Sequence, residues 1–344
     1  MSTTLHLIEK TEGLEALTRQ EAEALMEELL SGHLETMDIV RLLLALNLRE
    51  ITSSELTGFA SVMRRHAAPV FLPGELHPEN LVDTCGTGGD STGTFNISTA
   101  AAFVAAAAGA RVAKHGNRSV SSLCGSADVL EALGARIDLP LEKSGQSIRE
   151  LGIGFLFAPV AHAAARHAVP ARRHIGKRTV FNLLGPLTNP ANAENQVLGV
   201  FSPDRIDLMA AALAELGVRR AFVVHGSGGL DEFSLSGETL VAEARDAAVK
   251  RFVATPEDFA LPRAPLEALR GGGPKENASL IRAVFDGETG PRRDVVVMNA
   301  AAALVVANIA GDFCEAAVLA NRAISSGAAL GKLEHFIAFT NAAA

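Results

Sequence analysis

The residues from Gly86 to Asp90 read GTGGD and combine a glycine-rich turn with a carboxylate. A short apolar run, Leu81 and Val82, precedes the turn, and an alanine-rich stretch of helical character begins near Ser98. Glycines let a backbone approach a ligand closely, and the free N–H groups and positive dipole end of a helix favour an anion. This strand, glycine loop and helix start therefore predict a phosphate site. The loop matches neither common nucleotide fingerprint, because it lacks the Gly-Lys-Ser/Thr ending and the glycine spacing of the dinucleotide motif.

Polar side chains follow the glycine loop in two groups. Asn96, Ser98 and Thr99 supply donors at the predicted helix start, and Asp90 could orient a sugar hydroxyl or a hydrated cation. The second group consists of Lys114, His115, Asn117, Arg118, Ser119, Ser121 and Ser122. Because polar turns at successive strand ends face one crevice of a parallel sheet, the two groups predict one shared site. Taken alone, the first group is as typical of a tight structural turn with an ordinary N-cap as of a ligand site.

An acidic pair, Asp231 and Glu232, follows an apolar run at 220–225 and a Gly-Ser-Gly-Gly turn. Adjacent acids in a loop are usually just solvated, but acids at the end of a parallel strand point toward the ligand crevice. Two carboxylates suit Mg²⁺, which keeps several waters and bridges to substrate phosphates. A zinc site with His225 is disfavoured, because no second histidine lies at ligand spacing.

A basic segment holds Arg172 and Arg173 together with Arg166, His167, His174, Lys177 and Arg178. Such a cluster on a helix is most often a solvated face. Residue types alone therefore assign no ligand to this segment.

The composition excludes several classes of protein. The chain has 344 residues, 48% of them hydrophobic, and a formal net charge of −8, which favours a globular fold and argues against general affinity for nucleic acid or an anionic membrane. Its three cysteines lack CxxC spacing, so they indicate neither a disulfide framework nor a structural zinc site. The N-terminus has no basic region followed by an apolar stretch, and no apolar run reaches spanning length. We therefore expect a cytoplasmic protein without membrane insertion.

Hydrophobic periodicity predicts a helical opening followed by alternating strands and helices. Residues 17–68 read as helical, with Thr18 and Glu21 spaced as a capping box, and residues 69–80 read as a linker. Further strands are predicted at 135–139, 155–159, 197–201, 220–225, 239–244 and 250–253. Further helices are predicted at 127–133, 144–151, 161–175, 203–216 with Ser202 as N-cap, 278–285, 294–310 and 313–326, with a loop at 182–195 and a frayed alanine-rich end.

These elements predict an α/β fold with two lobes: a small, mostly helical lobe and a larger α/β lobe with a largely parallel central sheet. We expect a helical domain at 1–78, an α/β domain at 79–344, and a site between the two.

Four blocks of the sequence, GTGGD, FNIST, KHGNRSVSS and GSADVLEALG, resemble the anthranilate phosphoribosyltransferases of tryptophan biosynthesis in content, order and separation. The resemblance extends through Arg172 to Pro190 and Gly226 to Glu232, and more weakly from about Thr18 to the C-terminus. It implies a nucleoside phosphorylase/phosphoribosyltransferase-like fold in which a segment near 165–187 joins the helical domain. It also implies a homodimer paired through the helical lobes.

The activity that this resemblance implies is magnesium-dependent transfer of the phosphoribosyl group from phosphoribosyl pyrophosphate to anthranilate. The implied contacts of phosphoribosyl pyrophosphate are Gly86, Gly89, Asp90, Thr94, Asn96, Ile97, Ser98, Thr99, Lys114, His115, Gly116, Asn117, Arg118, Ser119, Val120, Ser121, Ser122 and Ser126. Ser126 is equally well placed to be the N-cap of the helix at 127–133.

The resemblance also implies an acceptor site and a metal site. Anthranilate would contact Gly86, His115, Asn117, His162 and Arg172, with Arg172 holding its carboxylate through a charge-assisted contact. Magnesium would be bound by Ser98, Asp231 and Glu232, and the catalytic residues would be Lys114, Asp231 and Glu232. A lone histidine is more often structural than a ligand contact, so this alternative stays open for His115 and His162.

The chain departs from the family in three places. The family commonly has Lys-Gly-Glu-Thr where this chain has Arg49, Glu50, Ile51 and Thr52. Leu123 and Cys124 replace a common polar pair, and Ala165 replaces a frequent methionine. These changes leave the ligand motifs intact and bear on helical-lobe packing, subunit contacts and substrate fit.

Two other functions are open at this point. One is a pyrimidine nucleoside phosphorylase on the same scaffold, against which the context of Arg172 and the complete KHGNRSVSS turn argue. The other is a non-catalytic, nucleic-acid-binding paralogue, which would require a basic surface and eroded acidic and anthranilate motifs.

Overall fold

The structure is a computed structural model that describes residues 3–119 and 123–342. The first α-helices are α1 (Thr3–Glu12), α2 (Arg19–Leu30), α3 (Thr36–Asn47), α4 (Ser53–Arg65), α5 (Ile97–Ala107), α6 (Ser126–Leu133), α7 (Leu141–Leu151) and α8 (Ala158–Ala161). The later ones are α9 (Val169–Ile175), α10 (Phe181–Leu187), α11 (Ile206–Glu215), α12 (Pro274–Phe285), α13 (Pro291–Val306), α14 (Phe313–Ser325) and α15 (Ala328–Ala342). The strands are β1 (Leu81–Gly86), β2 (Arg111–Gly116), β3 (Ile153–Phe157), β4 (Asn195–Gly199), β5 (Arg220–Gly226), β6 (Thr239–Arg245) and β7 (Ala248–Ala254).

The strands form one sheet in the order β3-β2-β1-β4-β5-β6-β7. β1 to β5 run parallel, whereas β6 and β7 extend the sheet as antiparallel strands. This confirms the prediction of a largely parallel sheet. From β1 the chain continues to β2 and β3 on one side and later to β4 and β5 on the other. The carboxyl end of β1 is therefore a topological switch point, where open α/β sheets bind ligands.

Alanine-rich helices cover one face of the sheet. α5 and α13 pack against each other there, and α13 is buried without interruption from Val295 to Val306. A helix enclosed on all sides can be apolar all round, which accounts for the weak amphipathic pattern of this stretch. The other face carries α11 and the opening helices, which share a second hydrophobic core with the sheet.

The opening helices are fixed by two capping boxes. Thr18 and Glu21 cap α2 as predicted, and Thr52 and Glu55 cap α4 in the same way. A later segment joins this lobe, because α9 packs on α3 and α10 packs on α4. The domain boundaries themselves stay a prediction. No helix among the described residues is long and apolar enough to cross a membrane.

The predicted strand at 135–139 is wrong. Its residues alternate between buried and exposed as a strand would, yet they form no ladder. The N–H of Arg136 donates instead to the side chain of Thr340 in α15, at 3.1 Å. The alternation arises because this extended segment packs between helices. Periodicity alone cannot distinguish such packing from pairing in a sheet.

Other differences concern the ends and interruptions of elements. α1 and α15 were not predicted. α15 ends at Ala342, and the rest of the alanine tail that was expected to fray lies outside the described residues. The predicted helix at 161–175 is interrupted: a 3₁₀ turn at Ala163–Ala168 precedes α9. The predicted loop at 182–195 begins inside α10. The side chain of Ser202 makes no N-cap hydrogen bond, and the predicted helix at 203–216 begins as a 3₁₀ turn before α11.

Candidate active site

Asp231 lies in the loop after β5 and reaches the glycine loop after β1. Its Oδ2 accepts a hydrogen bond from the N–H of Gly88 at 3.1 Å. A Cβ on Gly86 would lie 2.6 Å from that oxygen, and a Cβ on Gly199, at the end of β4, would overlap the carbonyl oxygen of Asp231. The acidic loop therefore packs directly on the ends of β1 and β4, and only glycine leaves room for it there.

Glu232 reaches the start of α5, the other element predicted to bind phosphate. Its Oε1 accepts a hydrogen bond from the N–H of Ser98, at the start of α5, at 3.0 Å. Lys114 extends from β2 to the same place: its Nζ donates to the carbonyl oxygen of Thr84 and lies 3.4 Å from the Ser98 hydroxyl. Lys114 is only 3% exposed, so its charge is held inside the site.

Burial and mutual repulsion perturb these acids. The pKa of Asp231 is raised well above 3.8, first by burial and then by repulsion from Asp90 and Glu232. Burial raises the pKa of Glu232 from 4.5 to about 7, although attraction to Lys114 and the hydrogen bond from Ser98 oppose the change. Both acids are half-buried and keep some contact with solvent. Burial lowers the pKa of Lys114, against attraction to Asp83, Cys85 and Glu232. A bound cation would relieve the repulsion between these two acids and favour their charged forms.

The donor set at this place fits magnesium. Within residues 3–119 and 123–342, no three His, Cys, Asp or Glu side chains cluster closely enough to enclose a metal. Mg²⁺ usually needs only one or two carboxylates, because waters and substrate phosphates complete its coordination. Asp231, Glu232 and the hydroxyl of Ser98 offer such a partial set of hard oxygen donors.

The second polar group is divided between a strand and a turn. Lys114 and His115 belong to β2, so the turn itself starts at Asn117. Arg118 pairs with two acids of α6, Asp128 at 3.1 Å and Glu131 at 2.5 Å. Its predicted contact with phosphoribosyl pyrophosphate stays a prediction. Val120, Ser121 and Ser122 lie outside the described residues.

Asp128 organises this turn. Its Oδ2 accepts hydrogen bonds from the N–H groups of Ser119 and Gly125, at 3.0 and 2.9 Å. Gly125 occupies the N-cap position of α6, so the alternative interpretation of Ser126 as N-cap is wrong. The Ser126 hydroxyl instead donates to the carbonyl oxygen of Asn117 at 3.3 Å. Gly116 lies against Ser126 at the end of β2.

The residues predicted to contact a ligand near the start of α5 differ in their burial and hydrogen bonds. The Asn96 side chain donates to the Cys124 carbonyl at 3.2 Å rather than capping the helix. Thr94 lies in a β-bridge. Ile97 and Thr99 are almost fully buried, and the Thr99 hydroxyl has no hydrogen-bond partner within the described parts of the chain. The N–H of Ile97 donates to the carbonyl oxygen of Phe95 at 2.7 Å, and the predicted contacts of Ile97 and Thr99 with phosphoribosyl pyrophosphate stay predictions.

His115 and His162 lie together, with ring centroids 5.2 Å apart in an edge-to-face arrangement. Burial lowers the pKa of His115 to about 3 and that of His162 to about 4, so both rings are neutral at pH 7. Neither Nε2 atom has a hydrogen-bond partner among the described residues. The pair can supply an uncharged aromatic surface for an aromatic ligand.

Arg172 is half-buried in α9, whereas Arg173 beside it is exposed. The guanidinium carbon of Arg172 lies 5.2 Å from the centroid of the Phe181 ring, and burial lowers its pKa. No acidic side chain in the described segments pairs with it, so its charge is available to an anionic ligand. No described contact joins Arg172 to Asn117, and a shared anthranilate site stays a prediction.

Two asparagines that hold the site were not predicted. Asn299, in α13, accepts from the N–H of Phe233 at 2.9 Å and donates to the Phe233 carbonyl at 3.0 Å, which fixes the residue after the acidic pair. Asn277, in α12, donates to the Asn96 side chain at 2.9 Å. Both are at most 2% exposed. A polar residue at an apolar helix position is the sequence signal that could have identified them.

Comparisons with known proteins identify the family. The model of the glycosyl transferase family, a/b domain, matches residues 78–330, and that of the helical bundle domain matches residues 5–67. The anthranilate phosphoribosyltransferase of Pelotomaculum thermopropionicum is 51% identical over 97% of this chain and 95% of its own length. The chain belongs to the anthranilate phosphoribosyltransferase family.

Solved structures of this family have the same fold. The Thermus thermophilus enzyme superimposes with a TM-score of 0.91 at 47% identity, covering 97% of this chain and 99% of the other. The Saccharomyces cerevisiae enzyme in complex with phosphoribosyl pyrophosphate and magnesium gives 0.88 at 29% identity, covering 99% and 98%. The yeast enzyme is also known in complex with 4-fluoroanthranilate. The predicted fold class and family are thus confirmed.

Proposed function

We propose that the protein transfers the phosphoribosyl group of phosphoribosyl pyrophosphate to the amine of anthranilate, releasing N-(5-phosphoribosyl)anthranilate and pyrophosphate in tryptophan biosynthesis. The observation that carries this proposal is the position of the acidic pair. Asp231 accepts from Gly88 in the glycine loop, and Glu232 accepts from Ser98 at the helix start. Both acids therefore meet the two elements suited to phosphate, and the family's yeast member binds this donor with magnesium.

The donor half of the site stabilises the leaving pyrophosphate. Asp231 and Glu232, with the Ser98 hydroxyl, would hold magnesium, which when bound neutralises charge on the phosphates. The positive dipole end of α5 and the buried Lys114 add fixed positive potential. These groups are oriented before the reaction and lie in a partly water-excluded cleft, where such stabilisation is most effective.

The acceptor half of the site positions anthranilate. An aromatic amine keeps its lone pair at neutral pH, so the reaction needs no strong general base, and the neutral His115 and His162 are consistent with this. The unpaired guanidinium of Arg172 would hold the carboxylate, and Asn117 would assist. Holding the amine against C1 of the ribose supplies the remaining acceleration.

Anthranilate fluorescence tests the proposed reaction. The chain contains no Trp and no Tyr, so the protein contributes little background. We expect the signal to fall only when enzyme, phosphoribosyl pyrophosphate and magnesium are all present. Replacing Asp231 with Asn and Glu232 with Gln together should greatly reduce turnover, with partial recovery at high magnesium. A double variant equal to wild type across the magnesium titration would remove both acids from the metal site.

We also propose that the protein forms a homodimer through its helical lobe. Met37, Leu44 and Leu48 are 57%, 46% and 74% exposed, and their spacing of seven and four residues places them on one side of α3 and of the C-cap residue Leu48 that ends it. Leu48→Asp should produce monomers in sedimentation equilibrium. Val318→Asp, at an exposed apolar position in the other lobe, is the matched control and should leave the dimer intact. Dimers that persist in Leu48→Asp would exclude this face.

A further inference from the structure

Arg178 links the helical lobe to the glycine loop. It lies just after α9, and its carbonyl oxygen accepts a hydrogen bond from the Asn47 side chain, at the end of α3, at 2.9 Å. Its guanidinium extends the other way and donates through Nη2 to the carbonyl oxygen of Gly89. One residue thus contacts both sides of the cleft. A cavity of about 150 Å³, lined by Asn47, Arg178 and Phe201 among others, lies beside this link.

The guanidinium is held in place by an aromatic ring. Its central carbon lies 4.4 Å from the centroid of Phe201, which follows β4. Phe201 is itself tied to the glycine loop, because its N–H donates to the Thr87 hydroxyl at 3.1 Å. Stacking restricts a long, flexible side chain to one orientation. Gly89 has a φ of +78°, and a Cβ there would overlap the guanidinium, so the contact depends on glycine.

The bond to Gly89 has a consequence for the neighbouring peptide group. In a planar trans peptide, the C=O and the N–H point in opposite directions. When Arg178 holds the Gly89 carbonyl, the N–H of Asp90 must point away from Arg178. That N–H donates no hydrogen bond within residues 3–119 and 123–342. In the residue before Gly89, the N–H of Gly88 donates to the carboxylate of Asp231. The loop is therefore fixed from both sides, and the N–H of Asp90 is one of the loop donors that no described residue accepts.

We propose that Arg178 is a positioning residue that orients the Gly89–Asp90 peptide so that its free N–H binds a phosphate oxygen of the donor substrate. The proposal rests on the proposed function and adds to it a specific connection between the helical lobe and donor binding. Arg172, on α9, would serve the acceptor, whereas Arg178, six residues later, serves the donor. Loss of Arg178 should therefore change the two substrates unequally.

The test compares Arg178→Ala and Arg178→Lys with Arg173→Ala, a matched control at an exposed arginine of the same segment. We expect Arg178→Ala to raise the KM for phosphoribosyl pyrophosphate roughly three- to tenfold, the effect of losing about one ordinary hydrogen bond, because the peptide N–H is no longer oriented toward the phosphate. The KM for anthranilate should change by less than about twofold. Arg178→Lys keeps the charge but not the flat stack, and its effect should be intermediate. Calorimetric titration with phosphoribosyl pyrophosphate and magnesium should show the same order of affinities.

Asn47→Ala is a second, independent variant, because it cuts only the tie between Arg178 and α3. It should weaken donor binding in the same direction as Arg178→Ala and less strongly. If Arg178→Ala fails to fold, Arg178→Lys and Asn47→Ala decide the question. Donor affinity equal to wild type, or equal increases in both KM values, would overturn the positioning role. A wild-type protein with no anthranilate turnover would instead refute the proposed function, which separates the two failures.

Discussion

Replacing Glu232 with Gln should stabilise the metal-free protein at alkaline pH. Burial raises the pKa of this carboxyl from 4.5 to about 7, so the folded protein holds the proton more tightly than the unfolded chain. Below pH 4.5 both states are protonated and the group has no effect on stability. Between pH 4.5 and about 7 only the unfolded state is ionised, and the free energy of unfolding falls as the pH rises.

The size of this effect follows from the pKa difference. About 2.5 pKa units at about 1.36 kcal/mol each give about 3 kcal/mol as an upper limit. Because Glu232 is half-buried and keeps some solvent contact, solvent screening reduces this, and we expect about 1–3 kcal/mol above pH 7. Gln is neutral at every pH and can still accept the hydrogen bond from Ser98. The variant should therefore gain this stability at pH 8 and none at pH 4.5.

The assay is urea-induced unfolding followed by far-ultraviolet circular dichroism, because the chain has no Trp or Tyr for fluorescence. Samples with a chelator are compared from pH 4.5 to 8, and magnesium is then added at pH 8. Magnesium should stabilise wild type more than Glu232→Gln. Glu238→Gln, at an exposed acid of the same lobe, is the control. If wild type and Glu232→Gln lose stability in parallel over the pH range, the carboxyl is not perturbed and this reasoning fails.

Three further variants test other parts of the site. Arg172→Ala should lower kcat/KM for anthranilate, because loss of a charged hydrogen bond raises the transition-state free energy by roughly 1.5–3 kcal/mol, and the KM for phosphoribosyl pyrophosphate should not change. Steady-state kinetics with Arg173→Ala as control decide this. An unchanged anthranilate KM and kcat would show that Arg172 only forms part of a solvated face. Lys114→Met should weaken calorimetric binding of phosphoribosyl pyrophosphate, because a fixed charge beside the phosphates is lost, and wild-type affinity together with wild-type turnover would contradict the role. Burial lowers the pKa of His162 to about 4, so the free energy of unfolding falls as the pH falls from 6.5 to about 4. His162→Gln should reduce that loss. An unchanged dependence of stability on pH in this range would show that the ring is not buried as described.

The order of strands and helices was largely predictable because local patterns determine it. The strand at 220–225 and the antiparallel pair at 239–244 and 250–253 were placed within a few residues. The capping box of Thr18 and Glu21 was also found from spacing alone. Each depends on residues only a few positions apart, so a sequence window contains all the information that the element needs.

The supporting contacts of the site depended instead on distant parts of the chain. Arg178 meets Gly89 across 89 positions, and Asn299 meets Phe233 across 66. Arg178 in particular was indistinguishable from neighbouring basic residues of a solvated segment, because charge alone does not show which side chain reaches the loop. The need for glycine at position 199 likewise could not be predicted, because it depends on the backbone of Asp231, which packs against Gly199 only in the folded chain.

A competition reaction distinguishes phosphoribosyl transfer to anthranilate from nucleoside phosphorolysis. The enzyme is supplied with anthranilate, phosphoribosyl pyrophosphate, magnesium, uridine and inorganic phosphate together, and the products are identified by mass spectrometry. We expect N-(5-phosphoribosyl)anthranilate and pyrophosphate in equal amounts, with uridine unchanged. Ribose 1-phosphate and uracil without phosphoribosylanthranilate would show that the protein is a nucleoside phosphorylase and refute the proposed function.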